Sequence, residues 1–426
     1  MRKVFYSLGV LSLAFSPFVQ AQSVLTLTDF LAKVEKNNPE ILAGQKEVQA
    51  KDAMYRASGA WEDPMFMVEL SRMPADYPAP GSGSIIVQDK LLGRHFMLSQ
   101  KLPFFGTLRQ KKKIAGQEKL ESEFGLKQTT LERLSEAKKV YYEWAQTLQE
   151  TALLEQAKDI WQKLVSFTQT RYAQAEGSHH EYLRAQVEQK KIESEKLELE
   201  EKLTKVEAML SYLTGENFGA ESLRAEPLPE GLAPSLPKDW LVESALYRNP
   251  EIGMLSAREE KARFEKNLAA KQYYPDFELG VFYDKSMIDP FHLDRLMNVF
   301  GGNLSLRLPL FSWTTRSKEV QGKSLEIERF KFLRKNIENQ KRTEVAMFSA
   351  EIERLEKQVR LYKDELMPRA RFLVEESQTA YTVGKLSFPD FSETQLGQIE
   401  LERKYVELLS EYWKAKAELE KTVGSN

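Results

Sequence analysis

The sequence predicts a mainly α protein with a small β part, made by internal duplication. Long antiparallel coiled-coil helices dominate, and each half adds two strands. Three observations carry this. Residues 107–172 contain no proline and residues 317–381 contain one, and heptad-spaced apolar residues run through both stretches. The run Asn-Pro-Glu-Ile occurs at Asn38 and again at Asn249, at corresponding places in the two halves. Four short segments beside prolines read as strands, three of them alternating apolar with polar residues and Met65–Leu70 less cleanly.

Arg2 and Lys3 precede an apolar run from Val4 to Phe15, and Val19-Gln20-Ala21 fits a cleavage site. Residues 1–21 therefore read as a secretory signal peptide. The run is shorter than the roughly 20 apolar residues that a membrane helix needs. No later segment approaches that length, so any membrane crossing must use strands. There is no cysteine, hence no acylated cysteine, disulfide or thiolate metal site. With 61 basic and 63 acidic residues the charges nearly cancel, which gives no ground for nucleic-acid binding.

The first repeat is expected over 22–213. Leu25 to Arg56 reads as a helix capped by Thr28 and interrupted at Asn38-Pro39. Strands follow at about 63–71 and 94–103, separated by a Pro-, Gly- and Ser-rich loop over 73–93. In the second of them Phe96, Leu98 and Leu102 alternate with Met97, Ser99 and Lys101. A helix of some 65 residues, roughly 100 Å at 1.5 Å per residue, starts near Thr107. Ala137, Tyr141, Trp144 and Leu148 form its seam. Leu199, Leu203, Val206, Leu210 and Leu213 form the seam of the return helix.

A linker with four prolines spans 214–238. The second repeat, 239–426, starts with a helix near Asp239 that breaks at Asn249-Pro250. Its strands are expected at 276–285 and 299–310, with a loop from Ser286 to Met297. Phe277, Leu279, Val281 and Tyr283 share one side of the first. Leu304, Leu306, Leu308 and Leu310 share one side of the second. Val345, Phe348, Ile352, Leu355, Val359, Tyr362 and Leu366 form the seam of the long helix beyond.

Each long helix ends in a sharp reversal. In Ala380–Gln395, Gly384 suits the positive φ of a helix end, and Ser387 can cap a new helix with Asp390 three residues on. Pro389 falls in the tolerated first turn. The first half repeats this with Tyr172, Ser178, Glu181 and Gln186. There Ala175 replaces the glycine and Gly177 follows two residues later, so the first turn is expected to take another shape.

Four strands cannot close a barrel, and open edges are not tolerated in lipid. Closure takes about eight strands at least, so the chain needs sister copies; three would supply about 12. At this point the chain resembles the TolC family of outer-membrane efflux proteins over essentially all of residues 22–426. The resemblance rests on the Asn38 and Asn249 signals, the strand ends at Pro103 and Pro309, and the hairpins at Tyr172 and Tyr381. It implies a homotrimer in the outer membrane, with a 12-stranded transmembrane β-barrel above a long periplasmic α-barrel. It implies an exit duct for a tripartite efflux pump or a type I secretion system, partnered by a periplasmic adaptor and an inner-membrane pump, with no cofactor. Segment 60–108 resembles the heavy-metal-efflux branch more than the multidrug branch.

By matching positions, Tyr381, Asp390 and Glu393 correspond to the family's periplasmic aperture. Tyr172, Ser178, Leu183, Gly384, Ser387 and Phe391 correspond to its adaptor-docking tips. Asp390 and Glu393 share a helix face, and a ring of carboxylates would favour cations and suit hard divalent ions. They equally fit a helix cap and a solvated face, as Leu183 and Phe391 fit hairpin packing. His179-His180-Glu181 reads as a solvated tip. Met54, Met65, Met67, Met73 and Met97 could serve soft metals or fill gaps. No HExxH, GxSxG or P-loop argues for an enzyme. A soluble periplasmic coiled-coil adaptor or scaffold would explain the signal and the heptads but not the four strands.

Overall fold

In the computed structural model, residues 23–71, 93–216, 223–234, 236–289, 292–309 and 313–425 are described. The signal peptide, nearly all of the 73–93 loop and Leu310 lie outside them. The first half runs β1 (Ser23–Leu25), α1 (Leu27–Asn37), α2 (Pro39–Ala57), β2 (Met65–Ser71), β3 (Gly93–Leu102), α3 (Thr107–Ala173) and α4 (His179–Thr214). The second runs β4 (Leu223–Ala225), α5 (Lys238–Arg248), α6 (Pro250–Lys271), β5 (Asp276–Asp289), β6 (His292–Arg307), α7 (Trp313–Arg360), a π-helical stretch (Leu361–Leu366), α8 (Met367–Thr382) and α9 (Phe388–Val423). From α1 and from α5 the order is the same: two helices, two strands, long helix, reversal, return helix. No helix among the described residues is long and apolar enough to cross a membrane.

The two Asn-Pro-Glu runs make the same break. Asn38 and Asn249 are both extended, with ψ of 123° and 122°, because the following proline excludes the helical region. Each asparagine is buried and donates to the far end of a return helix: Asn38 Nδ2 to Leu213 O at 2.9 Å, Asn249 Nδ2 to Thr422 O at 3.1 Å. The cap of α1 is Thr26, two residues earlier than expected; its hydroxyl accepts from the Asp29 N–H at 3.1 Å. Thr28 lies inside the first turn instead.

Two compact units draw on both repeats. The first comprises the residues before Pro39 with Arg133–Pro234 and Glu351–Ala417. Its core is where the seams meet: Phe30 and Val34 of α1, Ala137, Tyr141 and Trp144 of α3, Leu210 and Leu213 of α4, Leu355 and Val359 of α7, Leu409 and Tyr412 of α9. β1 and β4 form a short parallel pair on this core. The Tyr141 hydroxyl fastens it, donating to Leu25 O at 2.7 Å and accepting from the Glu226 N–H at 3.0 Å. Burial pushes the Tyr141 phenol up, so it stays a donor. Pro368 lies just past the π-helical stretch; a proline cannot donate to the carbonyl four residues back, and the wider turn accommodates it.

The second unit comprises Pro39–Glu132, Ser235–Ala350 and the residues from Glu418. Ion pairs cross between its helices. Glu118 of α3 lies 3.5 Å from Lys51 of α2 and 2.8 Å from Lys261 of α6. The Lys261 hydrogen bond, opposed by partial burial, holds the Glu118 carboxyl below the ordinary glutamate value. A carboxyl whose folded value is depressed stabilises fully above its unfolded value, and that gain is lost as pH falls through the folded one. Amide exchange in α2 and α6 is therefore expected to accelerate on the acid side of the glutamate range, and Glu118→Gln should flatten that dependence.

The unit also carries one antiparallel sheet in the order β2-β3-β5-β6. β5 runs past the expected 276–285 to Asp289, while β6 starts at His292, ahead of the expected 299, and ends at Arg307, short of 310, where Pro309 has no N–H for a ladder. Most of the 286–297 loop is strand, pairing Met287 with Met297 and Asp289 with His292 across register shifts. Apolar alternation stops at Asp284-Lys285, but a backbone ladder needs no apolar face to continue.

Candidate functional site

The register sorts the sheet into two unlike faces. Phe66, Leu98 and Val281 form one row, Val68, Phe96, Tyr283 and Phe300 the next, and Leu279 and Leu304 a third. All lie on one face, since side chains alternate along each strand. Phe96 stacks between Phe66 (6.5 Å) and Tyr283 (6.3 Å). Nothing among the described residues covers this face: Phe66 is 64% exposed and Phe300 78%. A contiguous apolar sheet face of this kind is what a lipid-facing wall requires.

The opposite face carries Met67, Glu69, His95, Met97, Ser99, Lys101, Glu278, Asn303 and Arg307. His95 Nδ1 lies 3.6 Å from Asp284 Oδ2. Gly280 makes room for its neighbours: a Cβ there would stand 2.1 Å from Asn303 Oδ1 and 3.1 Å from Met97 Cε. Those side chains therefore lie flat on the polar face. Met65, Met67 and Met97 share it, Met54 is exposed on α2, and Met73 is outside the described residues. Among the described residues no group of three or more His, Cys, Asp or Glu side chains could hold a metal.

The two hairpin tips, both in the first unit, repeat each other hydrogen bond for hydrogen bond. In the second, the Gly384 N–H donates to Tyr381 O at 3.0 Å, and the Lys385 and Leu386 N–H groups donate to Ala380 O at 2.8 and 3.2 Å. In the first, the Ala175 N–H donates to Tyr172 O at 3.0 Å, and the Glu176 and Gly177 N–H groups donate to Arg171 O at 2.9 and 3.1 Å. Ala175 adopts a φ of 59° where Gly384 has 74°. The expectation of a differently shaped first turn is thus corrected. The turn keeps its geometry, and alanine bears a strain of about 1–2 kcal/mol that glycine would not. Ala175→Gly is expected to stabilise this tip by about 0.5–1 kcal/mol, part of the relief being returned as unfolded-chain entropy. Slower amide exchange at Glu176 and Gly177 would register it.

Capping also recurs. The Ser178 hydroxyl accepts from the His180 N–H at 3.1 Å. Ser387 Oγ donates to Asp390 Oδ2 at 2.5 Å and stands 3.4 Å from the Asp390 N–H. Asp390 is therefore engaged in the cap, while its carboxylate remains exposed, as does Glu393 one turn on. Tyr381 stacks on Phe391 (5.4 Å, 4° between planes), with Phe388 5.7 Å from Tyr381 and 4.6 Å from Phe167 of α3. Tyr172 stacks on Tyr182 (6.4 Å, 4°) with His179 5.0 Å away.

Among the sequence candidates, then, Tyr381, Ser387, Asp390 and Phe391 come together at one tip, and Tyr172 and Ser178 at the other. Leu183 lies outside the aromatic stack and is exposed, as are Val187 on the same helix and Val383 at the second tip. The counterpart of Phe391 is Tyr182, which the sequence did not single out, nor Phe388; His179, read as part of a solvated tip, is exposed and also lies against Tyr172. The signal was present in the equal spacing of Tyr172 to Tyr182 and Tyr381 to Phe391.

The sequence model of the family described as outer membrane efflux protein matches the chain twice, over residues 31–216 and 241–425. No curated protein matches it by sequence. Among solved structures the fold is similar to CusC, whose crystal structures concern folding and transmembrane channel formation (15% identity, 96% of this chain and 93% of that one, TM-score 0.72). It is similar to VceC, an outer membrane protein of Vibrio cholerae (17%, 94% and 96%, TM-score 0.72). It is also similar to the open state of the MtrE outer membrane channel of Neisseria gonorrhoeae (13%, 94% and 89%, TM-score 0.75). At these identities the structures establish the fold and do not choose between a metal and a multidrug branch. The tandem family match reaches nearly the whole described length, and a lipid-ready sheet face accompanies it, so the chain is a member of the outer membrane efflux protein family: an outer-membrane efflux channel.

Proposed function

We propose that three copies of this chain close a 12-stranded barrel in the outer membrane and form the exit duct of a tripartite efflux pump. A periplasmic adaptor meets the hairpin tips, and an inner-membrane pump feeds the duct. The observation that carries this is the four-stranded sheet with two open edges, β2 and β6, and an uncovered apolar face. Such a sheet is unstable in lipid alone and is completed when the β6 edge of one copy meets the β2 edge of the next. A species of about three chain masses in detergent, recovered from the outer membrane, is the expected result; a soluble monomer overturns it.

In this reading Tyr381, Asp390 and Glu393 form the aperture, and Tyr172, Ser178, Leu183, Gly384, Ser387 and Phe391 belong to the adaptor-facing tips. The exposure of Ser178, Leu183, Gly384 and Ser387 supports docking, as does the exposed carboxylate pair for the aperture. Phe391 and Tyr172 contribute by stiffening the tips. The double variant Asp390→Asn/Glu393→Gln removes both charges yet leaves Ser387 an acceptor. It is expected to raise single-channel conductance severalfold and to lose block by divalent cations in planar bilayers. Unchanged conductance with unchanged block removes the gate. A cysteine at Ser178 or Ser387 should cross-link to a co-expressed adaptor, and no adduct at either position counts against docking.

A further inference from the structure

At the foot of the sheet, where β3, β5 and β6 give way to helices, a cavity of about 510 Å³ opens in the second unit. Five basic side chains line it, Lys101, Lys111, Lys271, Arg307 and Arg316, against two acidic ones, Glu62 and Asp276. The excess survives the local pairing. Glu62 lies 3.4 Å from Lys101, and Asp276 Oδ1 accepts the Phe104 N–H at 3.2 Å. Lys271 Nζ donates to Phe105 O, a neutral carbonyl, at 2.9 Å, and Arg316 Nη1 donates to Gln272 Oε1 at 3.1 Å. Lys111 and Arg307 are exposed.

The register decides which way the cavity looks. Lys101 follows Ser99 by two residues, and Arg307 pairs with Asp276. All of these stand on the face opposite the apolar one. Glu278, the register partner of Lys101, is on that face too but does not line the cavity. Helix geometry separates this cluster from other cations of α3. At 100° per residue Thr107 and Lys111 fall on one side, while Arg109, Lys112 and Lys113 fall on another, in a separate groove with Tyr55 and Phe264.

The geometry points to an anion-binding collar at the neck of the duct: Lys101, Lys111, Lys271, Arg307 and Arg316 hold phosphate- or carboxylate-bearing solutes as they enter the barrel. This rests on the duct reading, since the polar face becomes the lumen only when the barrel closes. Threefold repetition then brings three such clusters around one axis, where low-dielectric walls strengthen their field. Rings of Lys and Arg are the usual means by which pores prefer anions.

The test is the zero-current potential of the purified full-length protein in a planar bilayer under a low-salt KCl gradient, where screening is weakest. Lys101→Gln/Lys111→Gln/Arg307→Gln is expected to raise the potassium-to-chloride permeability ratio about fivefold. It should also abolish block of the wild-type current by millimolar pyrophosphate. Lys111→Gln alone, on an exposed helix surface, should move both readouts in the same direction by less. An unmoved ratio with unmoved pyrophosphate block overturns the collar. So does a triple variant whose only change is weaker binding to phosphatidylglycerol vesicles, which would assign these cations to lipid headgroups. If the wild type forms no channel the duct reading falls. If it conducts and the ratio stays fixed, the collar alone falls.

Discussion

Tyr412→Ala is expected to destabilise the first unit by about 3–5 kcal/mol, the range for removing a large buried aromatic side chain. Tyr412 is 1% exposed and sits among the seams of the core. Its ring meets Trp413 edge-on at 5.3 Å. Its hydroxyl accepts from the Ala233 N–H at 3.0 Å and is 3.3 Å from Ala233 O. One residue on, Trp413 Nε1 donates to Pro229 O at 2.9 Å. Lys363 of the π-helical stretch reaches Glu230 at 2.9 Å. The proline-rich linker is therefore a strap laced to the core. Alanine opens a cavity and releases the strap together. Tyr412→Phe separates the two effects: it keeps the ring and loses only the hydroxyl bonds, about 1–3 kcal/mol if the Ala233 groups are left without partners. Urea unfolding followed by Trp fluorescence gives the first number. Faster proteolysis between Glu226 and Ala233 in the phenylalanine variant gives the second. A phenylalanine variant cut no faster than wild type would mean the strap is held elsewhere.

That strap marks the boundary of what was legible. Heptad seams could be read because one packing face repeats every three or four residues; Leu210, Leu213, Leu355 and Val359 are buried as the pattern requires. The strands could be read while they alternate and vanished where Asp284 and Lys285 interrupt the pattern, although the ladder continues. The linker offered only prolines. Its partners Tyr141, Tyr412 and Trp413 are distant in sequence, and each looks like an ordinary seam residue until its polar end is seen to reach the backbone. β1 and β4 are three residues each, too short for any period to register. At the tips, the capping serines and the glycine were readable from local rules. That alanine would accept the same left-handed φ was not, since local preference argued against it and only the surrounding hydrogen bonds hold it there. Exposed charges such as Asp390 and Glu393 carry no local signal that separates a cap from a gate; the family resemblance alone singled them out.

Gly424→Ala is expected to cost several kcal/mol, and markedly more than the same change at Gly215, although the two glycines are counterparts in the duplicated frame. Both end a return helix with positive φ, 66° at Gly215 and 76° at Gly424, so both substitutions incur about 1–2 kcal/mol of backbone strain. Their surroundings differ. Among the described residues, a Cβ at Gly215 would find only Asn37 O, at 3.7 Å, an ordinary contact. At Gly424 it would stand 2.9 Å from both C and O of Arg248 and 3.2 Å from the Asn249 N. Those are backbone atoms and cannot swing aside. They also belong to the break between α5 and α6, where Asn249 holds Thr422 O and accepts the Glu251 N–H at 3.0 Å. Pushing Arg248 away would pull Asn249 off the end of α9 and leave buried polar groups unpaired, each costing about 1–3 kcal/mol. The two terms compound at Gly424 and do not at Gly215. Hydrogen exchange of the last turn of α9 in Gly424→Ala, set against the last turn of α4 in Gly215→Ala, reads the difference directly. Equal losses at the two sites would mean that α9 ends more loosely against Arg248 than the geometry requires, and that the duplicated clamp is set by φ alone.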